Sequence, residues 1–221
     1  MWLIFDLDDT LIDTSGSITP RRLRNAFFSM MPEEQASSPL LKKLFEINAS
    51  ASSGGEALRL FASLYGVCQK KLQKALVSLY KAPLSSKTSI KPLPGALLLL
   101  KKVAPYRLFL VSHGEEPIQR DKLKKAGIEP PLFCKIQIGD FTNKKKSYQT
   151  ILMEEQALQS QTVVVGDRVE RDLTPAKELG LWTVQMKWGR GAKAIFHPDV
   201  DFQIEKPLDL LPILRTINSK V

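Results

Sequence analysis

Apolar and polar positions fall into two rhythms along this chain. Trp2 to Phe5 is a continuous apolar run rich in strand formers, the pattern of a short strand buried on both faces. From about Thr14 to Ser89 strand signals vanish and apolar residues recur at spacings of three and four. Thr19 reads as the cap and Pro20 as the first residue of a helix whose apolar face is Leu23, Ala26, Phe27 and Met30. Further helices are predicted over residues 40–47, 56–65 and 69–80, with Ser50 to Gly55 as a flexible joint.

After a Pro/Ser/Lys linker the second rhythm begins, and strands alternate with helices. The pattern predicts a helix over 94–103, a strand over 107–112, a helix over 116–126 closed by Gly127, and a strand over 133–138. It continues with a helix over 145–157, a strand over 162–165, a helix over 171–179 closed by Gly180, strands over 182–186 and 202–204, and a last helix from Leu208. Such alternation implies right-handed crossovers and a parallel sheet covered on both faces. The predicted class is α/β, a Rossmann-like doubly wound parallel sheet core formed by residues 1–13 and 90–221, with a small helical domain, 14–89, inserted after the first strand.

The first strand stops at Asp6, Asp8 and Asp9, three carboxylates in four residues. Buried carboxylates repel one another and lose hydration, so such a cluster needs a cation or a shared proton. Strand ends are where open α/β sheets bind ligands. The stretch reads as a metal-dependent site, with one carboxylate as nucleophile and another as acid/base. Later strands end in groups suited to a phosphate. Leu108 to Val111 runs into Ser112, His113 and Gly114, where a hydroxyl and backbone N–H groups can hold an oxyanion. Val163 to Val165 runs into Gly166 and Asp167, with Asp172 five residues beyond Asp167. Carboxylates around one hard cation suit Mg²⁺. Asp172 reads either as a helix-end acid or as a partner of a metal-bound water or of a lysine. Lys144, Lys145 and Lys146 open the intervening helix, where a cation is electrostatically disfavoured unless it has a purpose. Sequence does not choose among the three, and Lys145 is the central choice.

Composition narrows the partner. The 221 residues suffice for one α/β domain and a small insertion. No stretch is apolar for long enough to span a membrane, and the N-terminus, already a strand ending in acids, does not read as a signal peptide. Cys68 and Cys134 form no framework and read as reduced, partly buried thiols in a cytoplasmic setting. The net charge of +9 attracts anions. Its lysines are mostly dispersed and lack interleaved aromatic residues, which argues against nucleic acid; they read as a solvated basic surface, with a small phosphorylated metabolite among the anions it would attract. Oligomeric state is left open.

Four segments, in this order, resemble the motifs of the haloacid dehalogenase superfamily of phosphohydrolases: Phe5-Asp6-Leu7-Asp8-Asp9-Thr10-Leu11, Val111-Ser112, the lysine cluster, and Gly166-Asp167 with Asp172. The helical insertion is similar to that family's first-position cap. Position 113 is His where Asn is commoner, and the lysine lacks the usual following proline. The resemblance implies a Mg²⁺-dependent phosphatase in which Asp6 attacks phosphorus, forming an aspartyl-phosphate, and Asp8 serves as acid and then base. It implies metal ligation by Asp6, Asp167 and the backbone carbonyl of Asp8, with Ser112 and Lys145 on the phosphoryl oxygens. His113 and Gly114 would also meet the phosphate, Thr10 would tie down the loop bearing Asp8, and the cap would close over the site and select the substrate. An acid at position 8 would be idle in a dehalogenase, which needs no leaving-group proton. Alternatives are an idle phospho-ligand- or partner-binding protein, a polynucleotide phosphatase and a phosphomutase.

Overall fold

The structure is a computed structural model, and it describes residues 1–31, 38–86, 88–139, 144–193 and 195–219. The chain divides into two compact units, residues 1–14 with 89–221, and residues 15–88.

The larger unit is built on a six-stranded sheet in the order β3-β2-β1-β4-β5-β6, all neighbours parallel. The strands are β1 (Trp2–Phe5), β2 (Arg107–His113), β3 (Lys135–Gly139), β4 (Thr162–Gly166), β5 (Trp182–Met186) and β6 (Phe202–Ile204). The helices between them supply the crossovers that parallel pairing requires. β1 is central. Its residues pair with Arg107 to Leu110 on one side and Thr162 to Val165 on the other, so the four-residue strand is hydrogen-bonded along both edges. Burial on both faces explains its unbroken apolar run. Alternation places Ile4, Phe109, Val111 and Val164 in one core cluster with Tyr148, Ile151, Leu173 and Ala176 from the covering helices.

Boundaries differ from the sequence reading where local chemistry intervenes. A 3₁₀ turn at Pro130–Leu132 delays the third strand, which begins at Lys135 rather than Phe133. The helix predicted over 171–179 is a π-helical turn, Val169–Leu173, followed by Thr174–Lys177, because Pro175 lacks an N–H to continue the ladder. Both cysteines are free and exposed, not partly buried. Among the described residues no helix is long and apolar enough to cross a membrane.

The smaller unit packs helices Thr19–Met30, Ser38–Ser50, Gly54–Leu64 and Gln69–Tyr80 around Leu23, Phe27, Met30, Leu44, Phe61 and Leu79. Phe27 and Phe61 meet edge-to-face at 5.7 Å. Thr19 is not the cap: Ile18 occupies that position without a side-chain hydrogen bond, and Pro20 lies one residue further in than predicted. Nor is the stretch from Ser50 to Gly55 a loose joint. Ser50 ends one helix, and the Ser53 hydroxyl accepts from Glu56 N (3.1 Å) while the Glu56 carboxylate accepts from Ser52 N (2.6 Å), a reciprocal cap. Arg22 donates to the carbonyls of Leu79 (2.7 Å) and Ala82 (2.6 Å), closing the end of helix Gln69–Tyr80.

Candidate active site

Two groups of side chains form at the carboxyl ends of the central strands. The first contains Asp6, Asp167 and Asp172, whose oxygens lie within 4.8 Å of one another and all of which are buried. Asp6 follows β1, and its N–H still bonds the Val165 carbonyl (2.9 Å), so the strand pairing fixes its position. Asp167 follows β4. Asp172 belongs to the π-helical turn, and its carboxylate accepts from Arg168 N (3.0 Å). Gly166 permits this approach: a Cβ there would lie 2.6 Å from Asp172 Cβ. The missing side chain at Gly166 is what admits the Asp172 side chain.

Lys144 is the cation of the cluster. Its ammonium bonds Asp6 and, at 2.8 Å, Asp172, and only 3% of the residue is exposed. This corrects the choice of Lys145, whose Nζ pairs with Glu178 (2.7 Å) in a half-exposed ion pair. Lys146 is exposed. The difference is one of direction, since successive helical positions point about 100° apart.

Charge in this group is unbalanced. Burial, then repulsion from Asp172 and Asp8, pushes the Asp6 carboxyl up to about 7 in spite of Lys144. Burial, with Asp172 and Asp6 nearby, raises Asp167 well above the usual carboxylate range. Burial alone would lower Lys144, but Asp172 and Asp6 outweigh it and keep the ammonium charged. Three buried carboxylates with one lysine form a hard, oxygen-only donor set carrying excess negative charge, which fits a divalent cation such as Mg²⁺.

The second group surrounds Asp8. Its carboxylate accepts from Lys122 Nζ at 2.7 and 2.8 Å, from Gln119 Nε2 at 2.8 Å and from the Thr14 hydroxyl. Burial would raise this carboxyl, but the Lys122 charge and the hydrogen bonds from Lys122, Thr14 and Gln119 hold it below the usual range. The Asp8 side chain therefore stands outside the three-carboxylate cluster. Gln119 also donates to Ser112 Oγ (2.8 Å) and to the His113 carbonyl (2.6 Å). Gly114, at φ +134, donates its N–H to Gly139 O (2.9 Å).

The loop after β1 is held by its backbone. The Leu7 carbonyl accepts from Leu11 N (3.0 Å) and Ile12 N (3.2 Å), and Asp9 takes a left-handed φ of 56. Among the described residues the buried Thr10 hydroxyl has no hydrogen-bond partner, so its side chain does not tie the loop to any of them.

Gln119 and Lys122 escaped the sequence reading. Both lie on helix Glu116–Lys125 among buried Ile118 and Leu123. A glutamine and a lysine interrupting the apolar face of a helix were the available signal. The stretch Lys187 to Gly191, just beyond β5, packs against Asp167 and Asp13. A Cβ at Gly191 would lie 2.8 Å from the Asp167 carbonyl oxygen, and Trp188 Nε1 donates to Asp13 (2.9 Å).

Comparison with known proteins agrees with this arrangement. A family model described as haloacid dehalogenase-like hydrolase matches residues 3–186. Glyceraldehyde 3-phosphate phosphatases of Pyrococcus abyssi and Methanocaldococcus jannaschii are 27% and 25% identical, over 98% of this chain and 94% and 98% of theirs. Among solved structures, magnesium-bound YfnB from Bacillus subtilis superposes with a TM-score of 0.69 at 19% identity, covering 96% of this chain and 97% of that one. CbbY from Rhodobacter sphaeroides, in complex with phosphate, gives 0.68 at 18% identity, covering 97% and 98%. A sheet of this order, with its carboxylates at the ends of the central strands and a family match across both units, leaves one assignment: the chain belongs to the haloacid dehalogenase-like hydrolase family.

Proposed function

We propose that this protein is a Mg²⁺-dependent phosphatase that hydrolyses a small phosphate monoester through an aspartyl-phosphate on Asp6. The observation that carries the reading is the buried group of Asp6, Asp167, Asp172 and Lys144 at the ends of β1 and β4. Asp6 and Asp167, with the Asp8 backbone carbonyl, are the proposed metal ligands, and Asp172 holds Lys144 or joins them. When bound, the cation offsets the repulsion between carboxylate and phosphate and polarises the phosphoryl oxygens.

The remaining work falls to the chain. A carboxylate oxygen of Asp6 attacks phosphorus as the bond to the leaving oxygen breaks. Asp8, in the molecules where its carboxyl carries a proton, gives that proton to the leaving oxygen; the carboxylate so formed takes one from the water that attacks the aspartyl-phosphate, which restores the acid and releases inorganic phosphate. Lys144 and the Ser112 hydroxyl stabilise the charge on the transferring group. In this reading Lys144 takes the part first assigned to Lys145. Selection among phosphate esters is assigned to the helical unit of residues 15–88, because the core groups address phosphate alone. The named activity of the relatives makes phosphorylated three-carbon aldehydes the first substrates to try.

The test is phosphate release from glyceraldehyde 3-phosphate and from an aryl phosphate, with and without Mg²⁺, for the wild type and Asp6→Asn. Turnover should require the metal and fall at least about a thousandfold in the variant. Wild-type protein that binds phosphate tightly without turnover would favour a binding protein on this scaffold. Near-normal activity in the variant would reject Asp6 as nucleophile.

A further inference from the structure

The Lys122 ammonium lies 2.7 and 2.8 Å from the two oxygens of Asp8, so it sits between them rather than on one. The two side chains are unequally covered: 9% of Lys122 is exposed against 29% of Asp8. A buried cation thus grips a carboxylate that keeps access to solvent. The contact spans 114 positions of sequence. It ties the loop after β1 to helix Glu116–Lys125, which is itself anchored by buried Ile118 and Leu123.

Such a grip supplies what the backbone leaves open. The Leu7 carbonyl contacts and the left-handed Asp9 fix where the Asp8 side chain starts. Its own torsions remain, and a carboxylate free to turn about them spends part of its time facing away from a reacting oxygen. An ammonium placed between both oxygens fixes the direction of the carboxyl group. The other donors do less. Thr14 reaches one oxygen, and Gln119 lies 2.8 Å from the other but has two hydrogens for three acceptors, Asp8, Ser112 and the His113 carbonyl. The ammonium of Lys122 has three hydrogens, enough for both oxygens of Asp8. A misplacement of about 1 Å in a reacting group can cost about a hundredfold in rate, so such a brace has kinetic consequences.

We propose that Lys122 is a positioning residue that orients the Asp8 carboxyl group toward the leaving oxygen in the first step and toward the attacking water in the second. It acts through Asp8 alone. The inference rests on the phosphatase reading, in which Asp8 carries the proton transfers, and adds to it the group that holds Asp8 in place.

The leaving group reads this role. An aryl oxide departs readily without a proton, whereas an alkyl oxide needs one, and a positioned acid is worth about 100- to 10,000-fold. Wild type, Lys122→Met, Asp8→Asn and the double variant are compared with Mg²⁺ on an aryl and an alkyl phosphate, with thermal unfolding alongside. Each is assayed at its own pH optimum, so that a changed proton occupancy of Asp8 does not enter. In Lys122→Met, kcat/KM, which reports the first step, should fall at least about tenfold further for the alkyl than for the aryl ester. Its kcat on the aryl ester should also fall, with a burst of released phenol, because hydrolysis of the aspartyl-phosphate still needs Asp8 as base. In the Asp8→Asn background the same substitution should cost no more than about twofold, because the group it holds is already gone. A merely structural role would lower both esters equally and multiply with Asp8→Asn. Either result overturns the inference and leaves the phosphatase reading in place, as does a Lys122→Met enzyme within about twofold of wild type on the alkyl ester. If Lys122→Met does not fold, Lys122→Gln, which keeps a shorter donor, takes its place and should show the same selective loss. A wild type that hydrolyses neither ester removes the phosphatase reading itself.

Discussion

The Lys144 ammonium bonds the Asp172 carboxylate at 2.8 Å, both side chains being almost completely buried, whereas the neighbouring Lys145 reaches Glu178 near the surface. The two lysines therefore differ sharply in consequence. Lys144→Met leaves buried carboxylates without their cation, and breaking a buried pair in this way costs about 3–5 kcal/mol. Lys145→Ala removes an exposed ion pair worth at most about 1 kcal/mol. Chemical denaturation should show the first loss and little of the second, and phosphatase activity should vanish only in the Lys144 variant. Activity lost with Lys145→Ala and kept in Lys144→Met would reverse the assignment.

Metal-free protein should lose stability as pH rises from acid to neutral. The Asp6 carboxyl moves from an ordinary 3.8 in the unfolded chain to about 7 in the fold, so the folded protein binds the proton more tightly. Its contribution is fully present below the unfolded value and is lost as pH passes through the folded one; Asp167 acts in the same direction. Midpoints of thermal unfolding, measured in a chelator between pH 4 and 8, should fall across this window. Adding Mg²⁺ should raise the midpoint more at pH 8 than at pH 5, because protons and cation compete for the same carboxylates. A Mg²⁺ effect independent of pH would count against these carboxylates as its site.

Asp8 behaves oppositely. Its folded value is depressed, so its contribution is present above the unfolded value and is lost as pH falls through the folded one. Lys122→Met should therefore destabilise the protein at pH 7 by about 1.5–3 kcal/mol, the usual worth of a hydrogen bond to a charged group. That deficit should shrink in strong acid, where a protonated carboxyl no longer needs the ammonium. Denaturant titrations of both proteins at pH 7 and pH 3 measure the difference. An equal deficit at both pH values would mean that Lys122 acts through packing alone.

The sheet was legible because it rests on short-range pattern. Apolar runs of three or four residues, leading into Asp6, Ser112 and Gly166-Asp167, carry the strands and their functional ends together. Whatever depended on direction was not legible. Three adjacent lysines are equivalent as letters, and only the start of helix Lys145–Glu154 decides that Lys144 faces Asp6. Gln119 and Lys122 were missed for a related reason. Their helix was read for where it begins and ends, while its chemistry lies in two polar residues on the buried face. Thr19 failed as a cap because capping propensity is only a local preference, and the helix already includes Thr19, with Ile18 at the cap position.

Gly191 offers a test of how far the site reaches into the loop beyond β5. A Cβ at this position would lie 2.8 Å from the Asp167 carbonyl oxygen and 2.9 Å from that of Met186. Both are backbone atoms, so neither can swing aside as a side-chain end would. The same Asp167 carbonyl accepts from Gln185 Nε2 at 3.3 Å, and Gln185 is in turn held by Gln203 at 2.8 Å. Gly191→Ala must therefore move either the loop or Asp167. If Asp167 is a metal ligand, a shift of a few tenths of an ångström degrades a coordination shell that in Mg²⁺ demands near-ideal octahedral geometry. The expected result is a roughly tenfold or greater loss of Mg²⁺ affinity, read by calorimetry, and a smaller loss for Ca²⁺, whose coordination is more tolerant. Gln203→Ala, which removes only the outer member of the chain, should lose less than Gly191→Ala. Unchanged affinity for both ions in Gly191→Ala would show that the loop yields and that Asp167 is held by β4 alone.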